Sequence, residues 1–162
     1  MDITIRQASI EDLDSISKVE ESCFPYAEAA TRTSLEQRIK TFSESFFVAE
    51  LGGTIIGFIN GCIINKTVIY DELYKNSTLH IPDGYYQTIF GLDVMPDYRN
   101  RGIAAQLMNH MIEVSRKAGR KGVILTCKNK LIHYYEKFGY VNKGISKSTH
   151  GGAQWYDMIL EF

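Results

Sequence analysis

The sequence is poor in cysteine, and the few cysteines it has are spaced in a way that excludes two common uses. Cys23, Cys62 and Cys127 are the only three, an odd and widely separated set that does not suit a disulfide framework of secreted type. No two of them have the close spacing of metal ligands, and the four histidines are scattered. We therefore expect a cytoplasmic protein in a reducing compartment, without a metal site.

An excess of charge of one sign is also absent. The 18 basic and 19 acidic side chains give a formal net charge of -1, so there is no overall field to attract nucleic acid or anionic lipid. No apolar run approaches the roughly 20 residues of a membrane-spanning helix. Residues 1–6 lack the basic segment and apolar stretch of a secretory leader. We expect partners to be small molecules rather than nucleic acid or a membrane.

What the chain does contain are two kinds of hydrophobic pattern, one typical of helices and one typical of strands. Its 162 residues are interpreted as one domain spanning 1–162. Helical spacing of apolar residues predicts four helices, at 10–19, 29–42, 103–118 and 131–138. Runs rich in β-branched and aromatic residues predict seven strands, at 3–5, 46–51, 54–64, 86–94, 123–125, 140–147 and 154–161. This order predicts an α+β fold, in which about four helices flank a mixed, mostly antiparallel sheet of about seven strands.

Two local features interrupt these patterns. Gly57 and Gly61 lie inside one predicted strand and indicate bulges or the close approach of another group. The segment from 65 to about 86 has no clean period, although 68–74 fits a short helix before a turn at 82–84. Long irregular segments in compact domains are often functional, so this segment is either a substrate lid or a plain variable loop.

A junction between strand and helix carries the clearest chemical signal. The apolar strand that ends at Val94 runs through a basic turn, 99–102, into the helix that begins at Ile103. The first N–H groups of a helix lack internal partners and lie at the positive end of its dipole, so they bind anions. Gly102 permits a close approach, and the arginines of the turn supply charge-assisted contacts that suit a diphosphate.

Two motifs narrow the kind of phosphate ligand. The turn lacks the Gly-Lys-Ser/Thr ending of a nucleoside triphosphate loop and the three-glycine spacing of a dinucleotide site. The sequence L-D-V at 92–94, R-x-x-G-x-A at 99–104 and Y-Y-E-K-F-G-Y at 134–140 instead resembles the GNAT superfamily of acyl-CoA-dependent N-acetyltransferases. The motifs at 99–104 and 134–140 occur in the order typical of that superfamily, with the predicted helix and strand between them. The resemblance covers nearly the whole chain.

The resemblance implies a GNAT-like fold and transfer of an acetyl group from acetyl-CoA to an amine by direct attack in a ternary complex. The backbone of the turn would hold the CoA diphosphate, and the strand at 92–94 would pair with pantetheine where the strands 86–94 and 123–127 splay apart. Tyr135 would be the general acid that protonates the departing thiolate. The implied cofactor-binding residues are Leu92, Asp93, Val94, Arg99, Asn100, Arg101, Gly102, Ile103, Ala104, Lys128, Asn129 and Tyr135.

The general base remains open at this stage. An amine with a pKa of about 10.4 must lose a proton before it attacks, but Thr88 occupies the position where several members carry a glutamate or histidine. Asp93, Glu28 or an ordered water are the candidates, with Asp93 slightly preferred and Thr88 as a residue that positions water. Cys127 is a less favoured alternative as an acyl-carrying nucleophile, because no histidine partner is evident. Lys128 either contacts the CoA phosphates or starts a solvated helix.

The acceptor is predicted from a second, weaker resemblance. Residues 21–30 resemble the first-helix loop of the serotonin, or arylalkylamine, N-acetyltransferase branch, which lines the acceptor pocket there. The implied substrate-binding residues, an apolar wall with one carboxylate for an ammonium group, are Phe24, Pro25, Tyr26, Glu28 and Phe90. We expect a small-molecule amine acceptor and a monomer or homodimer. A peptide or protein amine is the alternative acceptor, and a non-catalytic acyl-CoA-binding module is the alternative of a different class.

Overall fold

The structure is a computed structural model that describes residues 2–162. Within these residues there are four α-helices: α1 (Leu13–Cys23), α2 (Arg32–Phe42), α3 (Ile103–Lys117) and α4 (Ile132–Glu136). The nine strands of the same range are β1 (Thr4–Gln7), β2 (Phe46–Leu51), β3 (Thr54–Asn60), β4 (Ile63–Ile64), β5 (Tyr86–Ile89), β6 (Gly91–Val94), β7 (Gly122–Cys127), β8 (Val141–Ile145) and β9 (Tyr156–Glu161). None of the helices in this range is both long and apolar enough to cross a lipid bilayer.

The strands form two sheets that share no ladder. One sheet has the order β1-β2-β3-β6 and is antiparallel throughout. The other has the order β4-β5-β7-β9-β8 and contains a single parallel pair, β5 with β7. Parallel neighbours require a crossover connection, which α3 supplies between β6 and β7. The predicted α+β fold with four helices and mostly antiparallel strands is thereby confirmed.

There are nine strands rather than about seven because two predicted strands are each broken in two. The first break is at Gly61, where a Cβ atom would lie 1.8 Å from the Thr88 carbonyl oxygen; the close approach expected at this glycine is confirmed. The second break is at Phe90, whose N–H donates to the Asn60 carbonyl at 2.7 Å. As a result, β5 pairs with β7 in one sheet while β6 pairs with β3 in the other.

The helices bury the stripes that their spacing predicts. Ile16 in α1 and Leu107 in α3 have no exposed surface. The start of α2 lies later than expected, at Arg32, because Thr31 caps the helix by accepting the Ser34 N–H at 3.1 Å. Helix α4 is short, with only five residues, and is preceded by a 3₁₀ turn at Asn129–Leu131.

The irregular segment at 65–85 packs against the rest of the molecule. One 3₁₀ turn, Asp71–Tyr74, forms where a short helix was expected. Ile69 and Leu73 are buried in an apolar cluster together with Phe42 of α2 and Ile124 of β7. The Tyr74 carbonyl accepts a hydrogen bond from Arg38 Nη2 at 2.9 Å. The segment is therefore anchored at Tyr74, which faces the site described next.

Candidate active site

A cavity of about 180 Å³ lies where the two sheets separate. One wall consists of Leu92 in β6, Cys127 at the end of β7 and Tyr135 in α4. The opposite wall comes from the connection between α1 and α2 and from Tyr74. β6 pairs with β3 along one edge and with no strand of the second sheet along the other. Among residues 2–162, no strand pairs with β6 on that edge, so the backbone at Leu92 can pair with an extended ligand, whereas the Val94 carbonyl already accepts from Arg99 Nε and the Cys23 thiol.

The turn before α3 has an unusual backbone. Asn100 and Gly102 both have positive φ, 62° and 79°, and Gly102 is the N-cap of this 15-residue helix. The first bond of the helix that starts there is donated by the Gln106 N–H to the Gly102 carbonyl at 3.1 Å, so the N–H groups of 103–105 precede the helical ladder. A Cβ on Gly102 would meet no atom of residues 2–162 within 4 Å, its chain neighbours apart. The turn thus presents open backbone donors at the positive end of a helix.

The arginines of this turn have different surroundings. Arg99 Nε donates to the Val94 carbonyl at 3.0 Å, which ties the turn to the end of β6. The Cys23 thiol donates to the same carbonyl at 3.3 Å, so α1 is held at the same point. The Arg101 guanidinium lies 5.3 Å from the centre of the Tyr98 ring. Arg99 is thus held at the end of β6, and Arg101 lies beside Tyr98 in the same turn.

Burial raises the pKa of both ionisable groups on the wall formed by Leu92, Cys127 and Tyr135. It raises the pKa of Tyr135 above its ordinary value, and the neighbouring Cys127 and Tyr134 raise this pKa further. The phenol is therefore protonated at neutral pH and can act as a donor. Burial also raises the pKa of Cys127 to about 11. A thiol in this state is not a nucleophile at neutral pH, because the thiolate is the reactive form.

Glu28, which lines the cavity, forms an ion pair with Lys128. Lys128 Nζ lies 2.8 Å from Glu28 Oε2 and 5.7 Å from the centre of the Trp155 ring. Glu28 therefore reaches the cavity as half of an ion pair, whereas the sequence suggested an isolated carboxylate. Lys128 is directed towards Glu28, where contact with the CoA phosphates or a solvated helix start was expected.

The other predicted acceptor residues divide into two groups. Phe24 and Phe90 line the cavity. Pro25 and Tyr26 do not, because the Pro25 carbonyl accepts the N–H groups of residues 28 and 29 in a turn that leaves Tyr26 fully exposed. Phe90 is also contacted by the buried Arg38, whose guanidinium carbon lies 4.8 Å from the ring centre.

Thr88 and Asp93 lie behind the cavity wall. Thr88 has no exposed surface, and its hydroxyl donates to the Cys62 carbonyl at 2.9 Å. Asp93 is 1% exposed and is on the same face of β6 as Gly91, turned towards α1. Burial raises the pKa of Asp93 well above its ordinary range, and the neighbouring Glu20 raises this pKa further.

Glu20 and Arg38 are site residues that no motif in the sequence identifies. Both line the cavity and both are 6% exposed. Glu20 Oε2 accepts the Ala30 N–H at 2.8 Å, and Arg38 Nη1 donates to Asn60 Oδ1 at 3.2 Å. The sequence does contain one sign of them. Each charged residue falls on the apolar stripe of its helix, at a spacing that predicts burial.

A group of aromatic residues that lines the cavity was also missed. The rings of Tyr74 and His150 stack with centres 4.6 Å apart, and His150 Nε2 lies 3.0 Å from the Glu28 carbonyl oxygen. Trp155 Nε1 donates to the His150 carbonyl at 2.9 Å. These residues come from separate segments at 71–74 and 149–155, so no linear pattern brings them together.

Comparison with known proteins agrees with this geometry. The family model of the "Acetyltransferase (GNAT) family" matches residues 13–140. A "Probable hydrolase YhcX" of Bacillus subtilis (strain 168) is 28% identical over an alignment of 170 positions, which covers 99% of this chain and 32% of that protein. An "Uncharacterized N-acetyltransferase MJ1207" of Methanocaldococcus jannaschii is 33% identical over 67% of this chain and 44% of its own length. This chain thus spans from about a third to under half of these two relatives.

A solved structure resembles the whole fold. The "GphF GNAT-like decarboxylase in complex with isobutyryl-CoA" superimposes with a TM-score of 0.84 at 21% identity, covering 98% of each chain. At this level of identity the similarity concerns the fold. The family model covers most of the chain, from α1 to the last residue of the tyrosine-rich motif. Together with the separated sheets and the glycine turn before α3, it shows that the chain belongs to the GNAT acetyltransferase family.

Proposed function

We propose that the protein transfers an acetyl group from acetyl-CoA to the primary amine of a small molecule, in a ternary complex. The observation that carries the proposal is the cavity between β6 and β7, with Tyr135 on its wall and the unpaired edge of β6 beside it. A thioester laid along that edge would have its sulfur near a protonated phenol. The open N–H groups at the start of α3 provide for a diphosphate at one end of the same strand.

The reaction needs no covalent intermediate with the protein. The amine nitrogen forms a bond to the thioester carbon, the carbon–sulfur bond breaks, and the Tyr135 hydroxyl gives its proton to the thiolate. The obstacle is the proton of the amine. A lysine-like amine lies roughly three pKa units above neutral pH, so exposing its lone pair costs about 4 to 5 kcal/mol. A group within reach of the cavity must accept that proton.

Cavity size and lining favour a small acceptor. The volume of about 180 Å³ is below the roughly 300–1,000 Å³ of pockets that enclose drug-sized ligands. Phe24, Phe90 and Trp155 contribute aromatic surface. Tyr74 closes one side, because its hydroxyl hydrogen-bonds with the Thr126 hydroxyl at 3.1 Å. A peptide needs a long open groove, whereas an alkyl or aryl amine needs only a small pocket with aromatic surface.

The test is a CoA-release assay with acetyl-CoA and a panel of acceptors. The panel contains 2-phenylethylamine, hexylamine and spermidine beside a tetrapeptide with a free N-terminus and a lysine peptide, with products identified by mass spectrometry. We expect kcat/KM for a small amine to exceed that for the peptides by about tenfold or more. A higher kcat/KM for the peptides would show that the acceptor is a peptide or protein amine. Acetyl-CoA binding by calorimetry without turnover on any acceptor would indicate a binding module.

A further inference from the structure

Three buried polar side chains converge on one point next to Gly91, which itself lines the cavity. A Cβ atom at Gly91 would lie 3.0 Å from Asp93 Oδ1, 3.4 Å from Asn60 Nδ2 and 3.8 Å from Glu20 Oε1. Gly91 is not among the residues with positive φ, so its backbone does not require glycine. What glycine provides here is space, and the result is a polar recess that opens from the cavity wall.

The groups around this recess lack ordinary partners. Both carboxyl oxygens of Asp93 and the Nδ2 of Asn60 have no hydrogen-bond partner among residues 2–162. Asp93 is 1% exposed and Asn60 has no exposed surface. Buried polar groups are nearly always hydrogen-bonded, and an unmet one costs roughly 1–3 kcal/mol. Such groups persist where they serve a purpose other than stability.

Glu20 is the partner that chemistry provides for Asp93. Asp93 Oδ1 and Glu20 Oε1 lie 3.0 and 3.8 Å from the same point at Gly91, and two neighbouring carboxyls form a hydrogen bond only when one of them carries a proton. Glu20 Oε2 is occupied by the Ala30 N–H, so Oε1 is the oxygen left for the recess. The cation near these two carboxyls is Arg38 of α2. The Cys23 thiol of α1 also lies near Asp93. One cation beside two carboxyls balances the pair when it holds one proton.

We propose that Glu20 and Asp93 form a carboxyl pair that takes the proton of the acceptor amine, with Glu20 contacting the acceptor and Asp93 positioning Glu20 from behind β6. The inference rests on the proposed function. Ammonium binds beside the dianionic pair and transfers one proton to it, which leaves a neutral amine and a monoanionic pair that Arg38 balances. The nitrogen then forms the bond to the acetyl carbon as the carbon–sulfur bond breaks.

The remaining protons also balance. Tyr135 gives its proton to the thiolate, and the second proton lost from nitrogen returns to Tyr135 through solvent in the cavity. The proton held by the pair leaves to solvent after the amide departs. Ammonium and acetyl-CoA thus yield amide, CoA thiol and one proton. Gly91 is a positioning residue in this scheme, because a side chain there would fill the recess that the two carboxyls share.

The first experiment needs no substrate. The ¹³C resonance of the Asp93 carboxyl, assigned by its loss in Asp93→Asn, is titrated in the wild-type protein and in Glu20→Gln. We expect the wild-type carboxyl to titrate well above the ordinary aspartate value of about 3.9, and Glu20→Gln to lower its midpoint, because the like charge is gone. Ordinary titration that Glu20→Gln does not change would overturn the pair.

The second experiment measures catalysis with the best amine of the panel. Glu20→Gln and Gly91→Ala should lower kcat by about 100-fold or more while the Kd for CoA stays within about twofold, as expected of a lost general base. Asp93→Asn should also move the ascending limb of the pH–rate profile, since the pair then has one ionisable carboxyl instead of two. The matched control is Glu21→Gln, the adjacent and exposed glutamate of α1, which should match wild type.

The outcomes separate this inference from the proposed function. Wild-type activity with unchanged kcat and pH profile in Glu20→Gln would remove the pair from the reaction and leave the acyl transfer intact. A wild-type protein whose Asp93 titrates as expected, but which acetylates no amine, would overturn both the proposed function and the role of the pair as its base. Activity that falls in Glu21→Gln as much as in Glu20→Gln would attribute the loss to α1 in general and overturn the specific role.

Discussion

At Tyr135, burial and function act in the same direction. The phenol packs against the main apolar cluster, and burial keeps it protonated by raising its pKa. Replacement by phenylalanine keeps the packing and removes only the donor. We expect Tyr135→Phe to lower kcat by roughly 10- to 1,000-fold, as for a lost general acid, with CoA affinity nearly unchanged. Steady-state kinetics and calorimetry measure the two quantities.

The adjacent tyrosine provides a matched control for this substitution. The Tyr134 ring contacts that of Tyr135, with centres 5.2 Å apart, and its hydroxyl is removed in the same way by Tyr134→Phe. We expect this variant to keep kcat close to the wild-type value. An unchanged kcat in Tyr135→Phe would exclude its hydroxyl from the reaction.

Single residues could be predicted from the sequence where a linear motif contains them. Tyr135 and Gly102 belong to such motifs, and the structure places them beside the cavity and at the helix start. Glu20, Arg38 and His150 belong to three separate elements, and only the fold brings them to one cavity. Phe24 lines the cavity whereas Tyr26, two residues later, points to solvent, because the turn from Pro25 to Ala29 is set by backbone hydrogen bonds that composition does not encode.

Among the elements, helix α3 offers a controlled test of the anion site, because it has a glycine with the same positive φ at each end. Gly102 at its start and Gly119 after its end both have φ of 79°, and a Cβ at either position would meet nothing within 4 Å. A β-branched residue is strained at such a φ, by about 1–2 kcal/mol. Valine at either position should therefore destabilise the fold by a similar amount.

Only the substitution at the start of α3 should affect the ligand. We expect Gly102→Val to weaken CoA binding by roughly tenfold or more, which corresponds to about 1.4 kcal/mol, because it displaces the N–H groups at the helix start. Gly119→Val should leave the affinity unchanged. Calorimetric titration with CoA, alongside thermal unfolding of both variants, gives the comparison. Equal loss of affinity in the two variants would argue that the turn has no direct role in binding.

The elements themselves were predictable to different degrees, for a physical reason. Helices α1 and α3 have strong periodicity, so both were placed from the spacing of their apolar residues. The apolar run 86–94 looks like one strand, because both halves are buried and β-rich. Its break at Phe90 depends on two partners, β7 for the first half and β3 for the second. Pairing over such distances along the chain leaves no mark in a local pattern.

For the molecule as a whole, the division into two sheets creates the site and also a cost in stability. Asp93 is buried on the sheet that ends beside the cavity, without a hydrogen-bond donor among residues 2–162. Asp12 shows the opposite case, because Arg6 donates to both of its oxygens, at 2.8 and 2.9 Å. The guanidinium of Arg6, together with the Ser9 N–H, lowers the pKa of Asp12. The two aspartates should therefore affect the pH dependence of folding with opposite signs.

The sign follows from proton binding. Because the pKa of Asp93 is higher in the folded protein, its contribution is fully present below the unfolded value of about 3.9 and is lost as the pH rises towards the folded pKa. Because the pKa of Asp12 is lowered by folding, its contribution is present above that unfolded value and is lost as the pH falls. Asparagine cannot ionise, so substitution removes either dependence.

We therefore expect Asp93→Asn to have a larger free energy of unfolding than the wild-type protein at pH 7.5, with a difference that closes as the pH approaches 4. Asp12→Asn should be less stable than wild type at pH 7.5, and this difference should close as the pH falls below about 4. Denaturant unfolding between pH 3.5 and 8 measures both; about 1 kcal/mol corresponds to roughly 2–4 °C in Tm at this size. An Asp93→Asn curve parallel to that of wild type would show that Asp93 ionises as freely in the fold as in the unfolded chain. A gain in stability accompanied by a loss of kcat would instead identify Asp93 as a residue kept for catalysis at the expense of folding.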